Sequence, residues 1–236
     1  MQTSRYLGSV IEDDTLTTSS KACYDHFNLA LHVGDSELVV LGHRQQLLNQ
    51  LSVNNIQWLH QVHGNNVVTL SSYSAHVIEA DASITRCKNL ALAIMTADCL
   101  PILLSNKEGS EIAAIHGGWR PLAANIIDKT LSAMNSKANQ LVAWLGPCIG
   151  PAHFEVGAEV KGAFLTIDAN LGRYFEQNKL GKFQADLVGI ASFLLQKSGV
   201  RLITCCNECT VSQQTKYYSF RRDNKTGRMA SLIVLQ

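Results

Sequence analysis

The passage MTADCLPILL, residues 95–104, constrains the fold more than any other stretch of this chain. It is almost wholly apolar, yet Asp98 and Cys99 sit in its middle and Pro101 follows. A strand running straight through would bury both polar groups, and an unpaired buried carboxylate is costly. The pattern therefore predicts two strands, at about 90–96 and 101–105, joined by a tight turn. Pro101 starts the second strand, where a missing N–H matters least. A cysteine displayed on such a turn is core filler, a nucleophile or a metal ligand.

The rest of the chain supplies strands and helices in mixture. IQWLHQV (56–62) reads as a strand by alternation and β-propensity, as do EIAAI (111–115), LVAWL (141–145) and RLITCC (201–206). LVAWL and RLITCC read as buried. Helices are expected from Arg44 (RQQLLNQL), from Pro121 as first helical residue, and over Leu187–Leu195 before Gly199. YYSFRR, the DNKTG turn and RMASLIVL predict a C-terminal hairpin. No repeat or low-complexity linker interrupts the chain. The expectation is α/β (mixed α+β): a single compact domain over 1–236, with a mixed sheet flanked by helices.

Bulk chemistry narrows the partners. A net charge of +1 with no Lys/Arg run longer than two residues gives no footprint for nucleic acid or an anionic membrane. The start MQTSRYLGSVIEDD lacks the basic and apolar segments of a signal peptide, and no apolar run approaches a membrane span. Seven cysteines cannot all pair within one chain, so reduced thiols in the cytoplasm are expected. Oligomeric state is left open between a monomer and a small homo-oligomer.

Three residues at strand ends or turns could carry chemistry: His63, Cys99 and His116. Their spacing is too long for a zinc finger, but two imidazoles and a thiolate from separate loops suit a catalytic zinc with an open fourth position. On a strand His60 and His63 would face opposite ways, so His60, which shares a face with Trp58 and Val62, reads as structural. His153-Phe154-Glu155 follows Pro147-Cys148 in reverse order, and Pro151 stands where a second cysteine is required, so the cytidine-deaminase pattern is rejected. Cys205, Cys206 and Cys209 read as a reduced core and loop group. No P-loop, GxGxxG or GxSxG occurs. Arg44, Arg120, Arg221 or Arg222 could grip a phosphate through the planar guanidinium fork, with at least one of the last two a solvated surface group.

HQVHG (60–64), ADASIT (80–85), TADCLP (96–101), AAIHGGWR (113–120), LGPCIGPAHFEVG (145–157) and SFRRDNKTGRMASL (219–232) together resemble the YfiH/laccase-domain family, long labelled polyphenol oxidase. FNLALHVGDS (27–36), followed by Arg44, is similar to that family's N-terminal signature. The likeness spans nearly the whole chain in the family's order. It implies catalytic zinc ligands at His63, Cys99 and His116. It also implies an enzyme of purine nucleosides: phosphorolysis of adenosine, inosine, guanosine or methylthioadenosine, and deamination of adenosine. Under that resemblance zinc-activated water attacks the purine, Asp98 either shuttles a proton or caps the turn, and Arg44 orients phosphate. Asn28 and Gln61 hydrogen-bond sugar or base, and Arg120 flanks the site. Two departures stand out. The family usually reads HAGWRG where this chain has HGGWRP, and often carries an acid where this chain has His60.

Two other chemistries compete. A zinc-free cysteine hydrolase would use Cys99 with His116 as its base, but gives His63 no task. A copper phenol oxidase requires many histidine ligands, whereas the eight histidines here form no His-x-His or His-Cys-His cluster.

Overall fold

Apolar runs become strands where both of their faces meet a partner, and the computed structural model, which describes residues 1–5 and 22–236, follows that rule. The N-terminal stretch read for a signal peptide lies, from Tyr6 on, outside the described residues. In chain order the elements are α1 (Glu37–Leu51), β1 (Asn55–Gln57), β2 (Val67–Leu70), β3 (Ala82–Thr85), β4 (Leu90–Thr96), β5 (Leu100–Asn106) and β6 (Ile112–Gly117). Then come α2 (Trp119–Ala123), α3 (Ile126–Ala133), β7 (Leu141–Leu145), β8 (Glu155–Val156) and α4 (Ala158–Leu165). The last are β9 (Phe175–Gln177), β10 (Phe183–Ala185), α5 (Leu187–Lys197), β11 (Leu202–Cys205), α6 (Phe220–Asp223) and β12 (Met229–Ile233). Among the described residues no helix is long and apolar enough to cross a membrane.

These elements form a mixed α/β fold with three sheets. The largest has the order β11-β7-β5-β6-β3-β2, and a smaller one the order β1-β4-β12. A third, β8-β10-β9, is peripheral to the site. The alternation in β4 explains the stacking. Leu90, Leu92 and Ile94 point at the large sheet, against Leu103 and Ala114. Ala91 and Ala93, small enough to admit a helix, face Leu47 of α1. The opposite face of the large sheet, through Ile102, Leu104 and Ile115, packs on α2, α3, α4 and α5. Burying both faces of β4 is what makes LALAIMT a continuous apolar run.

The tight turn expected at Asp98-Cys99 is present, but its two strands do not pair with each other. β4 belongs to the small sheet and β5 to the large one, so the turn crosses between layers. Asp98 takes φ of 95°, a left-handed conformation that aspartate tolerates better than most residues.

Several elements depart from the sequence expectation. The strand at 56–62 stops at Gln57, because from residue 58 the chain leaves β4 and pairs instead with residues 78–79, His60 N–H donating to Ile78 O (2.8 Å). Leu59, not Trp58 or Val62, is the buried residue of that stretch. The helix expected at Arg44 begins at Glu37. The helix from Pro121 is two short ones, broken where Asn125 adopts φ of 61°, and Pro121 is its third residue rather than its first. RLITCC is an edge strand with Leu202 half exposed, not a buried one. The C-terminal hairpin has only its second arm, which pairs antiparallel with β4. Its first arm turns into α6, where Ser219 caps the helix by accepting from Arg222 N–H.

Candidate metal centre

Strand register assembles the centre. Antiparallel pairing sets Leu100 of β5 opposite Gly117 of β6 and Pro101 opposite His116. Cys99, one residue before β5, therefore meets Gly118, one residue past β6. A Cβ added at Gly118 would lie 3.2 Å from both Cys99 Sγ and His63 Cδ2, so the glycine clears room for both side chains. On the other edge of β6, Ala82 of β3 pairs with Ile115, which brings Asp81 beside His116.

Asp81 is the residue that sequence reading passed over, and it organises the site. Fully buried, it accepts from His116 Nδ1 (2.7 Å) and from the backbone N–H groups of Val62 (3.2 Å), His63 (3.0 Å) and Gly64 (2.7 Å). The three successive amides form an anion-binding nest, and this one holds the protein's own carboxylate. The nest in turn stabilises His63 at φ of 59°, an unfavourable conformation for histidine. Because Nδ1 donates to Asp81, the other ring nitrogen of His116, Nε2, is the one turned to Cys99. The available signal was an acid between alanines in ADASIT, the same anomaly that marks Asp98.

The donor atoms of His63, Cys99 and His116 lie within 4.8 Å of one another, the one such convergent group among the described residues. Cys99 Sγ is 3.7 Å from His63 Nε2. Tetrahedral zinc bonds would separate such a nitrogen and sulfur by about 3.5 Å. The His63 and His116 rings meet at 70° with centres 4.6 Å apart, an edge arrangement rather than a stack. Burial pushes the Cys99 thiol up, but the two imidazoles more than offset it and hold the thiol at about 6. Burial likewise pulls His116 down, while Cys99 and the Asp81 carboxylate raise it to about 9. A sulfur kept as thiolate is the form that binds metal. The residues present therefore fit a metal ion.

The group lines a cavity of about 380 Å³, within the range of small-molecule sites. Gln61 and Arg120 line it too. Gln61 clamps Met95 at both backbone atoms (2.9 and 2.8 Å), tying the His63 loop to β4. Arg120 is exposed and stacks 4.3 Å from the Trp119 ring centre. Phe154, Phe220, Arg221 and Arg228 complete the wall, none of the first two or the last having been singled out from sequence.

Other expected site residues are elsewhere or otherwise engaged. Arg44 lines a separate small depression, stacked 4.1 Å from the Trp58 ring centre and donating to Leu29 O. Asn28 is fully buried and its amide bridges Ala30, Asp35 and the backbone N–H of Arg228. Asp98 borders the cavity, but Oδ1 accepts from Thr210 Oγ1 (2.6 Å) and Oδ2 from Arg221 N–H (2.6 Å). Arg222 donates to the carbonyls of Thr210, Val211 and Tyr217. The backbones of Cys148 and Cys209 form an isolated parallel β-bridge with both thiols free, the Cys209 sulfur accepts from Gly150 N–H, and the Cys206 thiol reaches Glu208.

The chain is similar to several known proteins. A family model described as multi-copper polyphenol oxidoreductase laccase matches residues 14–236. Purine nucleoside phosphorylase YfiH of Shigella flexneri is 41% identical over 90% of this chain and 87% of its own. Purine nucleoside phosphorylase PA4543 of Pseudomonas aeruginosa is 40% identical over 92% and 89%. The crystal structure of protein NMB0706 from Neisseria meningitidis superposes with a TM-score of 0.92 at 36% identity, covering 100% of this chain and 93% of that one. On fold, matched length and identity together, the chain belongs to the YfiH family, the group whose model carries the laccase description.

Proposed function

We propose that this protein is a zinc-dependent purine nucleoside phosphorylase, acting on adenosine, inosine, guanosine and methylthioadenosine, that also deaminates adenosine. The observation that carries the reading is the convergence of His63, Cys99 and His116 on one point of a cavity with aromatic and cationic walls. The relatives' names supply the substrate class. Two imidazoles and one thiolate with a fourth position open to the cavity suit a catalytic zinc; copper takes the same donor set, so elemental analysis of the purified protein decides between them. When bound, zinc supplies Lewis acidity and lowers the pKa of water. Asp81 keeps a proton on His116 Nδ1 and fixes the ring, and Gln61 holds the His63 loop against β4. Phe154 and Phe220, which lie beneath Arg221 and Arg228 respectively, give the cavity apolar wall for a purine. We place the enzyme in the cytoplasm, where seven free thiols stay reduced.

Incubation with adenosine, with and without phosphate, followed by chromatography of the products, tests this. Adenine formed only with phosphate reports phosphorolysis, and inosine formed without it reports deamination. Neither product at several-fold enzyme excess refutes the proposal.

One observation favours a second reading: the Cys99 thiol held at about 6 beside a raised His116 is also the signature of a cysteine nucleophile. That reading leaves His63 without a role. Stoichiometric metal that shields Cys99 from alkylation supports the ligand role. An active metal-free enzyme inactivated by alkylation at Cys99 supports the nucleophile.

A further inference from the structure

Four basic side chains line the cavity, and they differ in how much of their hydrogen-bonding capacity is already used: His32, Arg120, Arg221 and Arg228. Arg221 spends both terminal nitrogens on the carbonyls of His153 (3.0 Å) and Glu155 (3.2 Å). Arg120 and His32 are exposed, Arg120 lying over Trp119. Arg228 alone is half-buried with capacity to spare. Its Nη1 donates to Thr226 O (2.8 Å) and Gly227 O (3.0 Å) within its own turn. Among the described residues its Nε and Nη2 have no acceptor, and it makes no ion pair. The acid beside it in the cavity wall, Asp98, has both oxygens occupied by Thr210 and Arg221.

The backbone at this point is pinned as firmly as a strand interior. Arg228 N–H donates to Asn28 Oδ1 (2.9 Å), and its carbonyl accepts from Leu29 N–H (3.2 Å). The fully buried Asn28 thus serves the cavity indirectly, by fixing the point from which Arg228 reaches into its wall. The guanidinium feels the charges of Cys99 and Asp98 but forms no ion pair with either, and a half-buried planar fork with two unused donors suits a tetrahedral oxyanion.

We propose that Arg228 is the anchor for a phosphate dianion in this cavity, held as free orthophosphate next to the His63, Cys99 and His116 cluster. This rests on the phosphorylase reading above and names the residue that binds its second substrate. In the step it serves, an oxygen of orthophosphate forms a bond to C1′ of the nucleoside while the C1′–N9 bond breaks. The bonding pair stays on the purine, which takes up the proton that phosphate brought, leaving free purine and ribose 1-phosphate. A fixed guanidinium keeps the incoming anion aimed at C1′ rather than diffusing through the cavity.

The test uses the metal-loaded full chain in phosphate-free buffer, with Arg228→Gln and Arg228→Lys. Its first arm follows the thermal midpoint against added inorganic phosphate, and its second the ratio of adenine to inosine formed from adenosine. Phosphate is expected to raise the midpoint of the parent and not that of Arg228→Gln. The adenine-to-inosine ratio is expected to fall about ten- to a hundredfold in that variant, matching the loss of charged hydrogen bonds. Arg228→Lys, which keeps the charge without the fork, is expected to lie between, and it decides the matter should Arg228→Gln fail to fold. Undiminished phosphate stabilisation in the variants, or a ratio within about twofold of the parent, overturns the proposal. So does a parent that orthophosphate leaves unshifted. An Arg228-dependent shift produced by adenosine 5′-monophosphate but not by orthophosphate also overturns it, by assigning the anion to a nucleotide. A parent that forms neither adenine nor inosine refutes the nucleoside reading, whereas the thermal arm still decides whether Arg228 binds phosphate.

Discussion

Asp81 Oδ1 lies 2.7 Å from His116 Nδ1 and 3.0 Å from the backbone nitrogen of His63, so one buried carboxylate oxygen fixes two of the three candidate metal donors. Asp81→Asn presents an amide N–H where an acceptor is needed. It is expected to weaken metal affinity about 10- to 100-fold, as loss of a ligand's orienting partner does elsewhere. Competition with a chromophoric chelator measures this directly. Cobalt substitution adds a check, because a displaced imidazole changes the ligand-field spectrum. Unchanged affinity in a folded variant would refute the role.

Cys99 stands on a turn between sheets and supplies no core packing of its own. Cys99→Ser is therefore expected to lose stoichiometric metal and both nucleoside activities while its circular dichroism stays that of the parent. Unfolding of the variant would instead mark the metal as a structural staple.

Adjacent glycines separate packing from ligation. A Cβ at Gly117 would come within 2.6 Å of the Leu100 carbonyl oxygen, so Gly117→Ala must displace β5 backbone. Its expected cost is about 1–3 kcal/mol, read as a lower thermal midpoint. At Gly118 the added carbon meets Cys99 and His63 instead, so Gly118→Ala is expected to weaken metal binding more than it lowers the midpoint.

Asp98 discriminates a proton shuttle from a turn support. With its oxygens engaged by Thr210 and Arg221, Asp98→Asn is expected to lose about 1.5–3 kcal/mol of stability. Deamination is expected to slow by less than about tenfold, whereas removal of a general acid costs about a hundred- to ten-thousandfold. Steady-state kinetics beside a denaturant melt tells them apart.

Acid sensitivity has an identifiable source away from the centre. Glu111 is buried at the β6 entrance and accepts from the backbone N–H groups of Asn135 (2.9 Å) and Ser136 (2.8 Å), and pairs with Arg86. Burial alone would raise its pKa, but these donors more than compensate and lower it. A depressed carboxylate contributes stability fully above its unfolded value, near 4.5, and loses it as pH falls through the folded one. Glu111→Gln is therefore expected to flatten the acid limb of stability against pH in that window, measured by denaturant midpoints from neutral pH downward.

What sequence conveyed and what it withheld have physical explanations. LALAIMT and LVAWL are legible as strands because layers on both sides reward an apolar residue at every position or every second one. The hairpin misread at YYSFRR arises because Tyr217 and Tyr218 have strand-like side chains but are buried in a loop, where the Tyr218 hydroxyl reaches the carbonyls of Tyr24 and Asp25. Arg44 carries the right charge for an anion, yet its place midway along α1 turns it onto Trp58. Asp81 and Arg228 escaped notice for a common reason. Each is held by partners distant in sequence, Asp81 beside His116 through strand pairing and Arg228 beside Asn28 through a side-chain hydrogen bond, and only the fold shows them as neighbours.

Placement of the centre by register has a consequence for how such a chain can vary. Cys99 and Asp81 each lie one residue outside a paired position, at Leu100 opposite Gly117 and at Ala82 opposite Ile115. A single residue inserted within β3, β5 or β6 exchanges the two faces of that strand and sends a donor or its orienting acid to the wrong side of the sheet. The turn at residues 107–110, at the far end of the β5–β6 pair, carries no donor, and lengthening it costs only a little loop entropy. Length variation is thus confined by geometry to the end of the sheet away from the metal donors.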